Sequence, residues 1–218
     1  MNRSEITAQS ADGTSIRFQV DGAGEPTLVL VHGWALDHCL WDGQVPWLSK
    51  THRVVTLDLA GHGGSGRARA QWTMNAFGQD VQAVVEAVGM NAVILVGHSM
   101  GGPVVLEAAR RLVFEAWTRP EHVRQWMLGP AGWTMPVCEI DLRMGGEWHF
   151  VWRKASGSEM DMRGRYTEVV PPERLVHTEQ WGPEWPETIN TLRLTEENGR
   201  TRSPRRCSTR RRRIATRR

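Results

Sequence analysis

The pentapeptide Gly97-His98-Ser99-Met100-Gly101 carries the clearest chemistry in this chain of 218 residues. It directly follows the apolar run Ala92-Val93-Ile94-Leu95-Val96, which reads as a buried strand. Glycines at both ends of a G-x-S-x-G turn let the backbone bend sharply enough to hold a serine hydroxyl above a sheet. A hydroxyl held that way can attack a carbonyl carbon. The carbonyl oxygen then becomes an oxyanion, and preorganised N–H groups lower the barrier to forming it. His98 adjoins Ser99 in sequence, but side chains next to each other on a sharp turn diverge. We therefore expect His98 to pack or to hydrogen-bond, with any base arriving from a distant loop.

The elements that must position this serine alternate between strand and helix. Residues 15–20 alternate as a strand before the turn Asp21-Gly22-Ala23-Gly24. Leu28-Val29-Leu30-Val31 and Val54-Val55-Thr56-Leu57 are short continuous apolar runs, as buried parallel strands require. Met74, Phe77, Val81, Val84, Val85 and Val88 recur at helical spacing, with Asp80, Gln82 and Glu86 off that face. Thr73 suits the N-cap of this helix and Gly89 its end. Strand, helix and strand in this order predict a parallel α/β sheet.

Three motifs sit on that frame in order: His32-Gly33-Trp34, Asp58-Leu59-Ala60-Gly61-His62-Gly63-Gly64-Ser65, and Gly97 to Gly101. Together they resemble the α/β-hydrolase superfamily in its esterase-like, fold-1 branch, over roughly residues 14–110. The resemblance implies Ser99 as nucleophile and the N–H groups of Trp34 and Met100 as oxyanion donors, with His32, Gly33, Gly97, His98 and Gly101 as motif positions. Asp58 follows an earlier strand than the family's acid and is read as organising the glycine-rich turn. The family's acid and histidine come from later strands, which this chain does not repeat. The triad acid and base are therefore unassigned.

The second half follows another pattern. Thr118 and Glu121 are spaced as a capping box with Pro120 in the first turn of a helix. Cys138 to Arg143 alternates, Gly145-Gly146 turns, and Glu147 to Trp152 alternates again, which predicts a hairpin. Residues 164–170, 175–179 and 188–195 continue as antiparallel strands. Val113-Phe114-Glu115-Ala116-Trp117-Thr118, Asp141-Leu142-Arg143-Met144-Gly145-Gly146 and Glu168-Val169-Val170-Pro171-Pro172-Glu173-Arg174-Leu175-Val176 resemble the helix-grip SRPBCC (START-like) superfamily. The likeness is to homologues of the heat-shock-chaperone ATPase activator, over about residues 110–200. It implies an α+β antiparallel sheet and a hydrophobic ligand or a chaperone as partner. Trp126, Trp133, Trp148, Trp152, Trp181 and Trp185 then either line a cavity or pack as core. Asp141, Asp161, His122, His149 and His177 have the chemistry of a triad but sit where this second pattern places them.

The expected architecture is thus a truncated parallel α/β-hydrolase sheet over residues 1–110, an incomplete SRPBCC-like domain over 111–200, and an arginine-rich tail over 201–218. The family changes inside one helical stretch, residues 103–117, where a natural fusion would place a linker. Ten of the 27 basic residues and none of the 24 acids fall in residues 200–218, so the rest of the chain is net acidic. The tail reads as disordered or as the product of a frameshift near Thr201, since another reading frame through Cys207 gives a segment like the missing end of the second family. The competing reading is an arm that binds nucleic acid non-specifically through phosphates. Cys39, Cys138 and Cys207 form no C-x-x-C, so no metal site, cofactor or disulfide framework is expected. No apolar run suits a leader or a membrane span, so no membrane association is expected and the cytoplasm is the expected location. Two function classes follow: a serine hydrolase of small ester or acyl substrates, impaired for want of a base and an acid, or a non-catalytic SRPBCC-type binding module that carries a hydrolase remnant.

Overall fold

Thr27–Val31 is buried at every position, as a central strand with parallel neighbours on both sides must be. The computed structural model describes residues 6–89, 92–129, 131–197, 200–202 and 205–209, with side chains as far as residue 195. It divides the chain into two units, Met1–Leu112 and Val113–Arg218. In the first unit the strands are β1 (Ile6–Gln9), β2 (Ser15–Asp21), β3 (Thr27–Val31), β4 (Val54–Leu57) and β5 (Val93–Gly97). The helices are α1 (Val45–Leu48), α2 (Met74–Ala87) and α3 (Gly101–Thr118), the last running past the division between the units.

The sheet order is β1-β2-β4-β3-β5. Strand β3 pairs in parallel with β4 and β5, while β2 pairs antiparallel with both β4 and β1. The expected parallel sheet is therefore a three-stranded parallel centre extended by an antiparallel hairpin. The extra strand, β1, is only four residues long and has one buried position, too little pattern to read from sequence. Strand β5 forms the other rim: Ile94 is 47% and Val96 37% exposed. It contains no charge or proline of the kind that shields edge strands.

Helix α2 is capped as its sequence requires: the Thr73 hydroxyl accepts from the Ala76 N–H at 3.1 Å, and Gly89 takes φ +61° just past the end. Phe77, Val81, Val84 and Val85 enter the core with Val29, Val31, Val55 and Leu57. Asp80, read as lying off the apolar face, is fully buried. Its carboxylate accepts from the Ser10 hydroxyl at 2.6 Å, from the Ala60 N–H at 3.2 Å and from the Arg69 guanidinium. The Arg69 side chain is 1% exposed and also reaches Asp12 at 2.7 Å. Burial works against the Arg69 charge, but hydrogen bonds to Asp80 and Asp12 outweigh it and raise its pKa.

The second unit holds α4 (Pro120–Trp126) and strands β6 (Trp133–Ile140), β7 (Glu147–Lys154), β8 (Glu159–Val170), β9 (Arg174–Trp181), β10 (Thr188–Arg193), β11 (Thr195–Glu197), β12 (Arg200–Arg202) and β13 (Arg205–Thr209). Its main sheet is antiparallel in the order β13-β10-β9-β8-β7-β6. The expected hairpin is present: Ile140 faces Trp148 across a turn in which Gly145 takes φ +79°. The capping box is not. Arg119 is the N-cap of α4 without a side-chain bond, and the Thr118 hydroxyl donates to the Phe114 carbonyl at 2.8 Å. Thr118 ends α3, so its hydroxyl serves a carbonyl of the last turn instead of the next helix.

Within the segment read as an arginine tail, β13 pairs with β10 from Thr188↔Thr209 to Leu192↔Arg205. Residues 210–218 lie outside the described residues. Among the described residues no helix is long and apolar enough to cross a membrane.

Candidate functional site

The turn between β5 and α3 holds Ser99 at φ +51°, one of two non-glycine residues with positive φ among those described. Left-handed backbone at a residue with a side chain costs about 1–3 kcal/mol and persists only where its surroundings enforce it. Here the enforcement is steric. A Cβ on Gly97 would stand 2.2 Å from the Gly101 carbonyl oxygen, and one on Gly101 would stand 2.5 Å from the Val31 carbonyl oxygen. The chain can therefore double back over the end of β3 only with glycine at both places. The Gly101 N–H closes onto the His98 carbonyl at 2.8 Å and the Gly102 N–H onto the Ser99 carbonyl at 2.9 Å. Ser99 and His98 stand exposed above this turn.

The His32-Gly33-Trp34 motif packs against the Ser99 turn. A Cβ on Gly33 would lie 3.2 Å from Ser99 Cβ and 3.1 Å from His98 Nδ1, so the backbone of residues 32–34 runs beside the serine. The N–H groups of Trp34 and Met100 donate to no acceptor among the described residues. Met100 directly precedes the 18-residue α3, whose N-terminal dipole favours negative charge there.

His32 sets the geometry of this loop from below. It is fully buried, its Nδ1 donates to the Gly33 carbonyl at 2.7 Å, and its Nε2 accepts from the Leu59 N–H at 3.0 Å. One donor and one acceptor describe a neutral imidazole. Burial pushes its pKa below the ordinary value, against the bond to Gly33. A histidine held neutral in the fold takes up its proton first in the unfolded chain. Stability is thus fully present above about pH 6.5 and falls as pH drops through and below it. We expect the urea midpoint to decline between pH 7.5 and pH 5.5, and His32→Asn, which keeps a donor to Gly33, to flatten that decline. An unchanged slope in the variant overturns the assignment.

Asp58 anchors the glycine-rich turn of residues 58–65 as expected. It is fully buried and accepts from the Gly64 N–H at 2.9 Å and the His38 N–H at 2.8 Å. A Cβ on Gly63 would land 2.3 Å from Asp58 Oδ2, so only glycine lets the turn close on the carboxylate. Burial alone would raise the Asp58 pKa, but the Gly64 and His38 donors hold it below the usual range. His38, which sequence reasoning missed, also donates its Nδ1 proton to Asp58 at 2.8 Å, while its Nε2 meets the Gln19 amide at 3.0 Å. Twenty residues separate this pair and no periodicity announces it. Asp37, His38 and Cys39 bring metal-ligand atom types together, yet Asp37 already accepts from the Cys39 N–H at 2.9 Å and His38 is held by Asp58.

Among the described residues of the first unit, none of His32, His38, His52, His62 and His98 is hydrogen-bonded to the Ser99 hydroxyl. In the second unit, His149 Nε2 and Asp161 Oδ2 form a pair at 2.8 Å, with Arg163 also on Asp161. Trp148 and Trp152 are core, with Trp133 packed against it. Trp126, Trp181 and Trp185 are exposed. The void among Trp148, Phe150, Met162, Tyr166 and His177 measures about 30 Å³, space for a water and not for a lipid-sized ligand.

Two family descriptions match this sequence. "Alpha/beta hydrolase fold" matches residues 26–134, and "Activator of Hsp90 ATPase homolog 1-like protein" matches residues 107–213. The matches overlap across the second half of α3 and all of α4, where the sequence changes pattern. A pimeloyl-[acyl-carrier protein] methyl ester esterase of Methylococcus capsulatus is 44% identical over 93 residues, 43% of this chain and 34% of that protein. A non-heme haloperoxidase of Rhodococcus erythropolis is 36% identical over 103 residues, 47% of this chain and 37% of that protein. The solved structure of an esterase from Exiguobacterium antarcticum is similar over 46% of this chain and 38% of that one, at 27% identity and a TM-score of 0.44. The chain thus spans about a third of the length of the curated relatives it matches.

Proposed function

Because the chain belongs to the alpha/beta hydrolase fold family and carries a second region similar to activators of Hsp90 ATPase, we propose that it is a serine hydrolase of the ester and acyl class working at a small fraction of that class's rate. The observation that carries the proposal is the strained Ser99 turn with Gly33 packed beside it. In the proposed step Ser99 Oγ bonds to the carbonyl carbon, the carbonyl π pair moves onto oxygen, and the Trp34 and Met100 N–H groups receive the oxyanion.

Two features support the low rate. Among the described residues of the first unit no imidazole is hydrogen-bonded to Ser99, so in this reading the hydroxyl proton passes to water. Ser99 is also exposed, and solvent weakens the field of the oxyanion donors.

The test is labelling with a fluorophosphonate. Full-length protein should be modified once per chain over hours, at Ser99, with no modification of Ser99→Ala. Absence of labelling overturns the nucleophile and favours a non-catalytic binding protein. Labelling within seconds overturns the impairment.

A further inference from the structure

A cleft of about 460 Å³ is lined by Trp34, Ala35, Gly61, His62 and Trp72. That volume falls in the range of small-molecule sites. Trp34 links it to the serine turn, since it lines the cleft and follows Gly33, whose backbone packs on Ser99. Two large aromatic side chains stand open to solvent here, Trp34 at 68% and Trp72 at 47%. Trp72 is the more closely held of the two. Trp34 meets His62 edge-on with ring centroids 5.6 Å apart. The Trp72 ring lies so close over Gly61 that a Cβ there would come within 2.7 Å of it. Phe77 at 6.2 Å and the Arg69 guanidinium at 5.9 Å fix the same ring from other directions.

The cleft's chemistry is narrow. No Asp, Glu, Lys or Arg lines it. His62 has no spare nitrogen, since Nδ1 meets the Ala60 carbonyl at 3.0 Å and Nε2 accepts from the Ala35 N–H at 3.3 Å. What remains is indole surface around a gap floored by glycine. Such walls carry no formal charge and, apart from the indole N–H groups, little to bond a polar group, and they favour a flat ring that can stack or meet an edge.

We propose that this cleft receives an uncharged aromatic group, so that the substrates of the site are aryl esters and Trp72 is the specificity-determining residue. The substrate assignment rests on the serine-nucleophile reading; the ring-binding cleft does not. The test therefore measures binding without turnover. Full-length Ser99→Ala is titrated calorimetrically with methyl benzoate and with methyl cyclohexanecarboxylate, esters alike except that one ring is flat and aromatic. Methyl benzoate should bind roughly tenfold more tightly, the size of one or two aromatic contacts. Adding Trp72→Leu, which keeps apolar bulk, should bring the two affinities together, while Trp72→Phe should keep most of the difference. Equal affinities in Ser99→Ala, or a preference untouched by Trp72→Leu, overturn the proposal. Should the fluorophosphonate fail to label Ser99 while the aryl preference persists, the hydrolase reading falls and the cleft remains an aromatic-binding site.

Discussion

On the proposed reading of an impaired serine hydrolase, replacing Ser99 by alanine should lower ester hydrolysis by less than about tenfold. In a complete triad enzyme, losing the serine or its histidine alone costs about 2 × 10⁶ in kcat, nearly as much as losing all three members. The members act as a unit, so a site that lacks its base has already suffered that loss. The full-length chain should thus turn over an activated aryl ester about 10⁶-fold more slowly than a triad hydrolase, near the floor that oxyanion donors and binding alone sustain. Steady-state hydrolysis by wild type and Ser99→Ala, purified in parallel, decides the matter. A fall above about 10³-fold in the variant means that an imidazole does reach the Ser99 hydroxyl and that the impairment is wrong.

The buried Asp80–Arg69 pair predicts the largest loss of stability. Asp80→Ala leaves a guanidinium whose side chain is 1% exposed with only Asp12 and the Ser10 hydroxyl to answer it. Breaking a buried pair from one side costs about 3–5 kcal/mol when the remaining charge has no other partner, and the surviving bond to Asp12 should hold the loss near the lower end of that range. Replacing both partners with apolar residues, Arg69→Met with Asp80→Leu, should restore most of that loss. Amide exchange over α2 reads both results within the first unit. A loss below about 1 kcal/mol for Asp80→Ala would mean that Arg69 swings out to water.

These two sites also show what the sequence could and could not reveal. The Ser99 turn was legible because its glycines sit at fixed spacing, two residues on either side of the serine, although only Gly97 answers a clash within the turn and Gly101 answers one with the distant Val31 carbonyl. Asp58 was legible for the same reason, since Gly63 and Gly64 close on it within six residues. Asp80 was misread because helical periodicity separates apolar from polar without asking whether a polar residue has a buried partner. Its partners Ser10 and Arg69 are 70 and 11 residues away. Thr118 fits a capping box in spacing, but the choice between a forward amide and a backward carbonyl depends on which helix owns it. Strand β13 escaped notice because arginines hide a backbone whose pairing with β10 needs no apolar side chain.

The rim strand β5 carries a consequence of dose. Folding of one chain is first order in its concentration, whereas the meeting of two bare rims is second order. Association through this rim should therefore grow with protein concentration faster than folding does.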